Sequence, residues 1–284
     1  MNEKQSKLVR VGLAVFIGVA LVGGFLYWRA SSQESTDDAF IDAHIIPISP
    51  KVAGQVLKVY VSDNQKVKAD DPLFDIDDRD YAVRLAEQRG KLAQAESEAN
   101  RAAADAKRYT ELFKKGEASR QQLDRATTDA QTTHANVETQ RAATQRAELD
   151  LSYTHVKSPE AGRVTKKSVE PGAYVQVAQI LLSVVPDAVW VTANFKETQI
   201  THIHAGQTVR IKIDTYPGKV FDGRVDSIQA GTGERFSLLP PENATGNYVK
   251  VVQRIPVKIV FDNDPGRDYL LAPGMSVVPA VQLK

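Results

Sequence analysis

The stretch SPKVAGQV, residues 49–56, returns as SPEAGRV at residues 158–164. With Gly54 set over Gly162, the register continues without a gap. Val56 falls on Val164, Val61 on Val169, Val67 on Val175, Leu73 on Leu181 and Ile76 on Val184. In both copies apolar and polar residues alternate in short runs. Turn residues break the runs, Asp63-Asn64 and Asp70-Asp71-Pro72 in the first copy and Glu170-Pro171-Gly172 in the second. That is strand chemistry. Each copy offers about four short strands with one apolar face, and neither is large enough to bury that face alone. The expectation is two matching half-sheets laid face to face. A chance likeness of two unrelated hairpins is the alternative, and it leaves five matched apolar positions in fixed register unexplained.

The residues between the copies read differently. From 78 to 151 there is no proline, and the only glycines are Gly90 and Gly116. Tyr81, Leu85, Gln88, Leu92, Ala95, Ala99, Ala102, Ala106, Tyr109 and Phe113 alternate by three and four, which is a heptad seam. A second seam runs through Leu123, Ala126, Ala130, Thr133, Val137, Gln140, Thr144, Ala147 and Leu151. Lys115-Gly116-Glu117 is the natural turn, and Ser119 with Gln122 forms a capping box for the second helix. The spacing predicts an antiparallel helical hairpin over 78–152, about 50 Å long. Its remaining faces are charged and polar, so it stands in solvent. A seam of alanines stabilises it weakly, which suggests that copies of the chain or a partner complete it. The repeat is then one β-sandwich domain, split into 44–77 and 156–186, with a helical arm inserted between its halves.

The chain has 284 residues, a formal net charge of +1 and no cysteine. Without cysteine there are no disulfides, cysteine zinc sites, cysteine nucleophile or lipid-modified cysteine. The charge gives no basic stripe for nucleic acid. Residues 11–28 carry no charge and would span about 27 Å as a helix, close to a bilayer core. Lys4, Lys7 and Arg10 precede them; Arg29 and then Glu34, Asp37 and Asp38 follow. The positive-inside rule makes 1–10 a cytoplasmic tail and 11–28 a single transmembrane anchor, with the bulk translocated. A cleaved signal peptide is the competing reading; it would have a shorter apolar region, and no Ala-x-Ala site follows. No other segment is apolar enough to span, so the chain is not expected to be a channel or carrier itself.

After Pro186 the pattern is β again, at 189–195, 209–213, 220–228 and 255–261, with a short helix over 196–203. Several strands with one cap helix read as a small barrel over 187–262. Residues 29–43 and 263–284 are assigned to a linker and membrane-proximal strands, with 38–48 and 270–281 pairing. The loop 231–248 is rich in glycine and proline and carries Phe236, Leu238 and Leu239. Long loops with apolar residues are more often functional than structural. The loop is expected to face a transporter or a neighbouring subunit, the alternative being a fold back onto the barrel.

The anchor, TDDAFIDAHIIPISPKVAGQV, KSPEAGRV, VWVTANFKETQ, AGTGERFSLLPPENATGNYVKVVQRIPVKI and LAPGMSVVP together resemble the periplasmic adaptors, or membrane fusion proteins, of the HlyD type. The last two stretches are similar to the EmrA branch. The resemblance covers 36–279. It implies a lipoyl-like domain whose halves turn on Gly54 and Gly162, a helical hairpin, a β-barrel and a membrane-proximal domain. It also implies a homo-oligomeric ring in a bacterial inner membrane, bridging an inner-membrane transporter of the major facilitator type to a TolC-type outer-membrane channel in drug efflux. An ABC-type secretion system and a scaffold without a transport role are the alternatives. In the family an Arg-Leu-Ser signature at the hairpin tip meets the channel; Arg108, Leu112 and Ser119 have its spacing. Each also has a plainer reading, as solvated face, seam flank and N-cap. The hairpin is shorter than in many EmrA-type adaptors, which leaves its reach open.

No enzyme is expected. There is no nucleophile elbow, phosphate loop or HExxH. His202 and His204 lie two apart at a helix end with no third ligand near, so no metal is expected. Asp70-Asp71 and Asp77-Asp78 fall at a turn and a helix start, where aspartate is ordinary. Asn243-Ala244-Thr245 matches a glycosylation acceptor that a bacterial protein leaves idle. A lipoyl or biotinyl carrier would need a lysine on the turn that the hairpin occupies, and 73–81 has none, so no cofactor is expected.

Overall fold

The computed structural model describes residues 32–233, 251–263, 265 and 269–283. The expected tail 1–10, the anchor 11–28, the loop residues Phe236, Leu238 and Leu239, and Asn243 with Thr245 lie outside them. Among the described residues no helix is long and apolar enough to cross a membrane. In chain order the elements are β1 (Gln33–Ser35), β2 (Ala39–Ala43), β3 (Ile46–Ile48), β4 (Gly54–Val59), β5 (Lys66–Val67), β6 (Pro72–Ile76), α1 (Arg79–Lys114) and α2 (Arg120–Ser152). There follow β7 (His155–Lys157), β8 (Gly162–Thr165), β9 (Tyr174–Val175), β10 (Leu182–Val185), β11 (Val189–Lys196), α3 (Glu197–Ile200), β12 (Thr208–Ile213), β13 (Val220–Ile228), β14 (Arg254–Phe261) and β15 (Val277–Gln282). The chain divides into two compact units, Ile45–Val185 and the described parts of 1–44 with 186–284.

The first unit holds the repeat. Its sheets run β3-β10-β8-β5 and β7-β6-β4-β9. This corrects the expectation of one half-sheet per copy, because each sheet takes two strands from each copy. The physical reason lies in the turns. Asn64 (φ 64°) and its twin Gly172 (φ 88°) adopt the left-handed conformation and throw the chain across the core. The two-residue strands β5 and β9 therefore land on the other copy. The shift of 108 residues holds to single hydrogen bonds. Val56 N–H donates to Ala173 O at 2.8 Å, and Val164 N–H to Gln65 O at 2.9 Å. Gly54 pairs with Val175, and Gly162 with Val67. All ten matched apolar residues share one core, none more than 7% exposed.

Both glycines are required by close approach. A Cβ on Gly54 would lie 2.6 Å from Ile76 Cγ2; one on Gly162 would lie 2.5 Å from Val185 O.

The helices α1 and α2 pack antiparallel. Every seam position from Tyr81 to Tyr109 and from Leu123 to Leu151 is buried or half-buried. At the far end Leu112 is half-buried and Phe113 exposed, which reverses the expected order there. Arg89 pairs with Glu148 at 2.9 Å across the helices, and Thr144 Oγ1 donates to Gln88 O at 3.3 Å.

In the second unit seven strands form one sheet, β1-β15-β12-β13-β14-β11-β2. The alternation in β12 and β15 puts Val209, Ile211, Val277 and Val281 on the inner face, all fully buried. The sheet curls until Ile41 N–H reaches Met275 O at 2.9 Å and Gly274 N–H reaches Ile41 O at 2.8 Å. The membrane-proximal segments therefore do not stand apart among the described residues. β1 pairs with β15, and β2 with β11, where the inward residues Ala39 and Ile41 of β2 complete the same core.

Gly162→Ala should cost about 2–3 kcal/mol, since the new methyl meets a backbone carbonyl that cannot turn aside. Gly54→Ala should cost less, since it meets a side-chain methyl. Urea midpoints at unchanged slope measure both; equal losses would count against the close-approach account.

Candidate functional site at the hairpin tip

The tip is held by two end motifs that meet with only Glu117 and Ala118 between them. The first closes α1. Gly116 takes φ +77°, and its N–H donates to Phe113 O at 3.0 Å. Glu117 N–H donates to Leu112 O at 2.9 Å. Together these satisfy the last carbonyls of the helix with a left-handed residue that glycine adopts without strain. The second motif opens α2. Ser119 N–H donates to Gln122 Oε1 at 2.8 Å, and Gln122 N–H donates to Ser119 Oγ at 3.3 Å. That is the reciprocal capping box.

Arg108 and Leu112 lie one turn apart on one side of α1. The Arg108 side chain is 66% exposed and pairs with Asp105 at 3.0 Å. Leu112 is half-buried at the end of the seam, and Ser119 is exposed beyond the turn. The partners of Arg108 and Ser119, rather than these residues themselves, line one groove. Asp105 and Gln122 line one open groove of about 680 Å³ with Tyr109, Arg125 and Asp129. Sequence reasoning did not single out Arg125 and Asp129, one turn apart on α2, and placed Tyr109 of α1 in the seam; only the packing of the two helices brings them to one groove.

At the root of the hairpin, Arg79 hydrogen-bonds Asp77 (Nη2 to Oδ2, 2.5 Å) and lowers that carboxyl to about 2. The root acid is therefore charged at any ordinary pH. Asp71 and Asp70 serve their turn: Asp71 Oδ2 accepts from Lys68 N–H at 2.7 Å. His204 Nδ1 lies 3.3 Å from the His202 carbonyl, and among the described residues no group of three His, Cys, Asp or Glu side chains could hold a metal.

The comparisons with known proteins agree with this geometry. A family model described as the RND MFP barrel-sandwich hybrid domain matches residues 44–186. One described as a CusB-like beta-barrel domain matches 188–235. The chain is 32% identical to the colistin resistance protein EmrA of Acinetobacter baumannii, across 100% of this chain and 97% of that one. It is 32% identical to the probable multidrug resistance protein EmrK of Escherichia coli, across 96% and 83%. The chain belongs to the membrane fusion proteins. Within them it is EmrA-like. Its fold matches that of the membrane fusion protein Spr0693 of Streptococcus pneumoniae, with a TM-score of 0.66 and 16% identity over 89% of this chain and 99% of that one. The first family match coincides with the unit Ile45–Val185 that carries the hairpin of this membrane fusion protein.

Ser119→Ala should cost about 1 kcal/mol and speed hydrogen exchange at the Gln122 amide, while Ser119→Asp keeps the cap. Unchanged exchange in Ser119→Ala would show that the capping box does not hold the tip.

Proposed function

We propose that this membrane fusion protein is the periplasmic adaptor of a multidrug efflux pump and not an enzyme. It joins an inner-membrane transporter of the major facilitator type to a TolC-type outer-membrane channel, as a homo-oligomeric ring. Residues 11–28 anchor it, with 1–10 in the cytoplasm. The observation that carries the reading is a stiffly capped hairpin, about 50 Å long, rooted in a split sandwich. Such an arm projects a small fixed surface far from its base. The drug-resistance names of the full-length relatives supply the class of cargo.

Two further features fit. The chain enters the described region at Ser32, which accepts a hydrogen bond from Leu283 N–H at 2.9 Å. On the same sheet, Gln199 of α3 donates to Glu34 Oε2 at 2.6 Å, and Glu197 N–H reaches Gln253 O at 2.9 Å. Residues just after an anchor and residues next to the stretch carrying Phe236, Leu238 and Leu239 thus share one end of the barrel. That supports assigning this stretch to transporter contact. At the tip of the hairpin, Arg108, Leu112 and Ser119 are assigned to the outer channel.

Arg108→Asp should reduce export at least tenfold, a loss read as drug susceptibility. Its exposed pair is worth no more than about 0.5 kcal/mol, so the melting temperature should hold. Loss of fold together with export would sink this separation of roles. The absence of cysteine permits a direct test in cells. Glu117→Cys is preferable to a cysteine at Gly116, whose φ of +77° resists a side chain. Capture of an outer-membrane channel at Glu117 supports the bridge. Capture of nothing, or only of a second copy, would leave the arm without a channel partner and overturn it.

A further inference from the structure

The hairpin grows from one sheet of the sandwich, β7-β6-β4-β9, and the two edges of that sheet are unlike. At the β7 edge an open cleft of about 400 Å³ lies between β7 and β3. Ile46, Pro47, Val156 and Pro159 give it apolar walls, and Lys51 and Lys157 line it as exposed cations. Among the described residues no carboxylate lines it. The Lys51 ammonium is held over the Tyr153 ring at 4.6 Å. Lys157 makes no ion pair with any described residue. An apolar hole with a free cation beside it is an unfilled receptor for an aromatic or aliphatic side chain that has an acid next to it.

The opposite edge, β9, carries the counterpart. Tyr174 is 68% exposed there, on a strand of only two residues, and Val177 on the turn that follows is exposed as well. At the matching ladder position of the other copy stands Lys66, so the packing of the repeat does not call for an aromatic ring. Asp80, in the first turn of α1, lines the same surface as Tyr174. The other charges of that surface are already engaged. Asp77 is bonded to Arg79 at 2.5 Å, and the Arg84 guanidinium lies over the Tyr81 ring at 5.5 Å. Asp80 is exposed and makes no ion pair with any described residue.

One edge thus offers an aromatic knob with an acid beside it, and the other an apolar hole with a base beside it. They cannot meet within one chain, because β6 and β4 stand between them and separate the edges by about 14 Å. Unlike, complementary surfaces on opposite edges of one protomer make a head-to-tail contact between copies. We propose that Tyr174 of one protomer seats in the β3–β7 cleft of its neighbour, with Asp80 of the first against Lys157 of the second. A buried tyrosine anchor supplies the affinity, and the charge pair at its rim fixes the direction of association. This names the subunit contact of the ring proposed above and rests on that reading.

Sedimentation of the full chain in detergent, over a range of concentrations, tests it. Tyr174→Ala should raise the concentration needed for half-assembly about tenfold. Asp80→Lys should raise it a few-fold, about the weight of a rim ion pair, and adding Lys157→Asp to Asp80→Lys should bring it back. Fraying of α1 in Asp80→Lys would not be rescued from β7, so the recovery isolates the contact. The melting temperature should hold in Tyr174→Ala, whose side chain is exposed in the single chain. An assembled wild type that Tyr174→Ala leaves unchanged, or a double variant no better than Asp80→Lys, would overturn this contact and leave the ring standing. Loss of export in Tyr174→Ala with assembly intact would give the surface to a different partner and overturn it too. A wild type that stays monomeric throughout would remove the ring itself, and this contact with it.

Discussion

Neither copy of the repeat has a complete sheet of its own. The two-residue strands β5 and β9 find their partners only on β8 and β4, in the opposite copy. This exchange ties ten matched apolar residues into one core, so the copies must fold together or not at all. The contact that sets the spacing is made by Gly54 and Gly162, where backbone passes within reach of Ile76 in one sheet and of Val184 and Val185 in the other. A side chain at either position would push apart the strands that the exchange brings together.

The hairpin exploits a consequence of that interleaving. Its two roots, Ile76 and His155, lie on neighbouring strands of one sheet. Two long helices fit there because the ends of the insert are already ladder neighbours, and the sheet that bears them carries register shifts at Val56/Lys58 and Pro72/Phe74 that the matching strands lack. Loop-closure entropy grows slowly with length, so even a long insert is tolerated. Direction and stiffness then come from ends as well as from bulk: alanine is the commonest seam residue and its burial adds little, while the left-handed Gly116 and the Ser119–Gln122 box satisfy the backbone at the tip.

How far the sequence could be read depends on the range of the interactions. Heptad spacing is a local property, and both seams are legible from it. The one departure, Leu112 half-buried in place of Phe113, comes where the helix tightens into its closing turn and the three-four alternation no longer applies. The capping box is legible because its two residues lie three apart. Strand pairing is different. A period of two tells which face is apolar but not which strand lies alongside, so the exchange of β5 and β9 was invisible, as was the union of β1, β2 and β15 with the barrel strands. The cleft between β3 and β7 was hidden for the same reason, its two walls being brought together across the whole length of the insert.

The repeat itself was legible because the two copies still match at the apolar positions, yet what is functionally informative is where they differ. Duplicated halves under the same packing constraint keep Val56 and Val164, or Ile76 and Val184, interchangeable. Positions outside the core are released from that constraint, and each half can diverge with its surroundings. The edge strand β9 carries the exposed Tyr174 where β5 carries Lys66, at matching positions of the two ladders. Core positions therefore report the fold, and broken symmetry at the surface reports what was added to it. Applied to this molecule, that criterion selects the β9 edge without reference to any other protein.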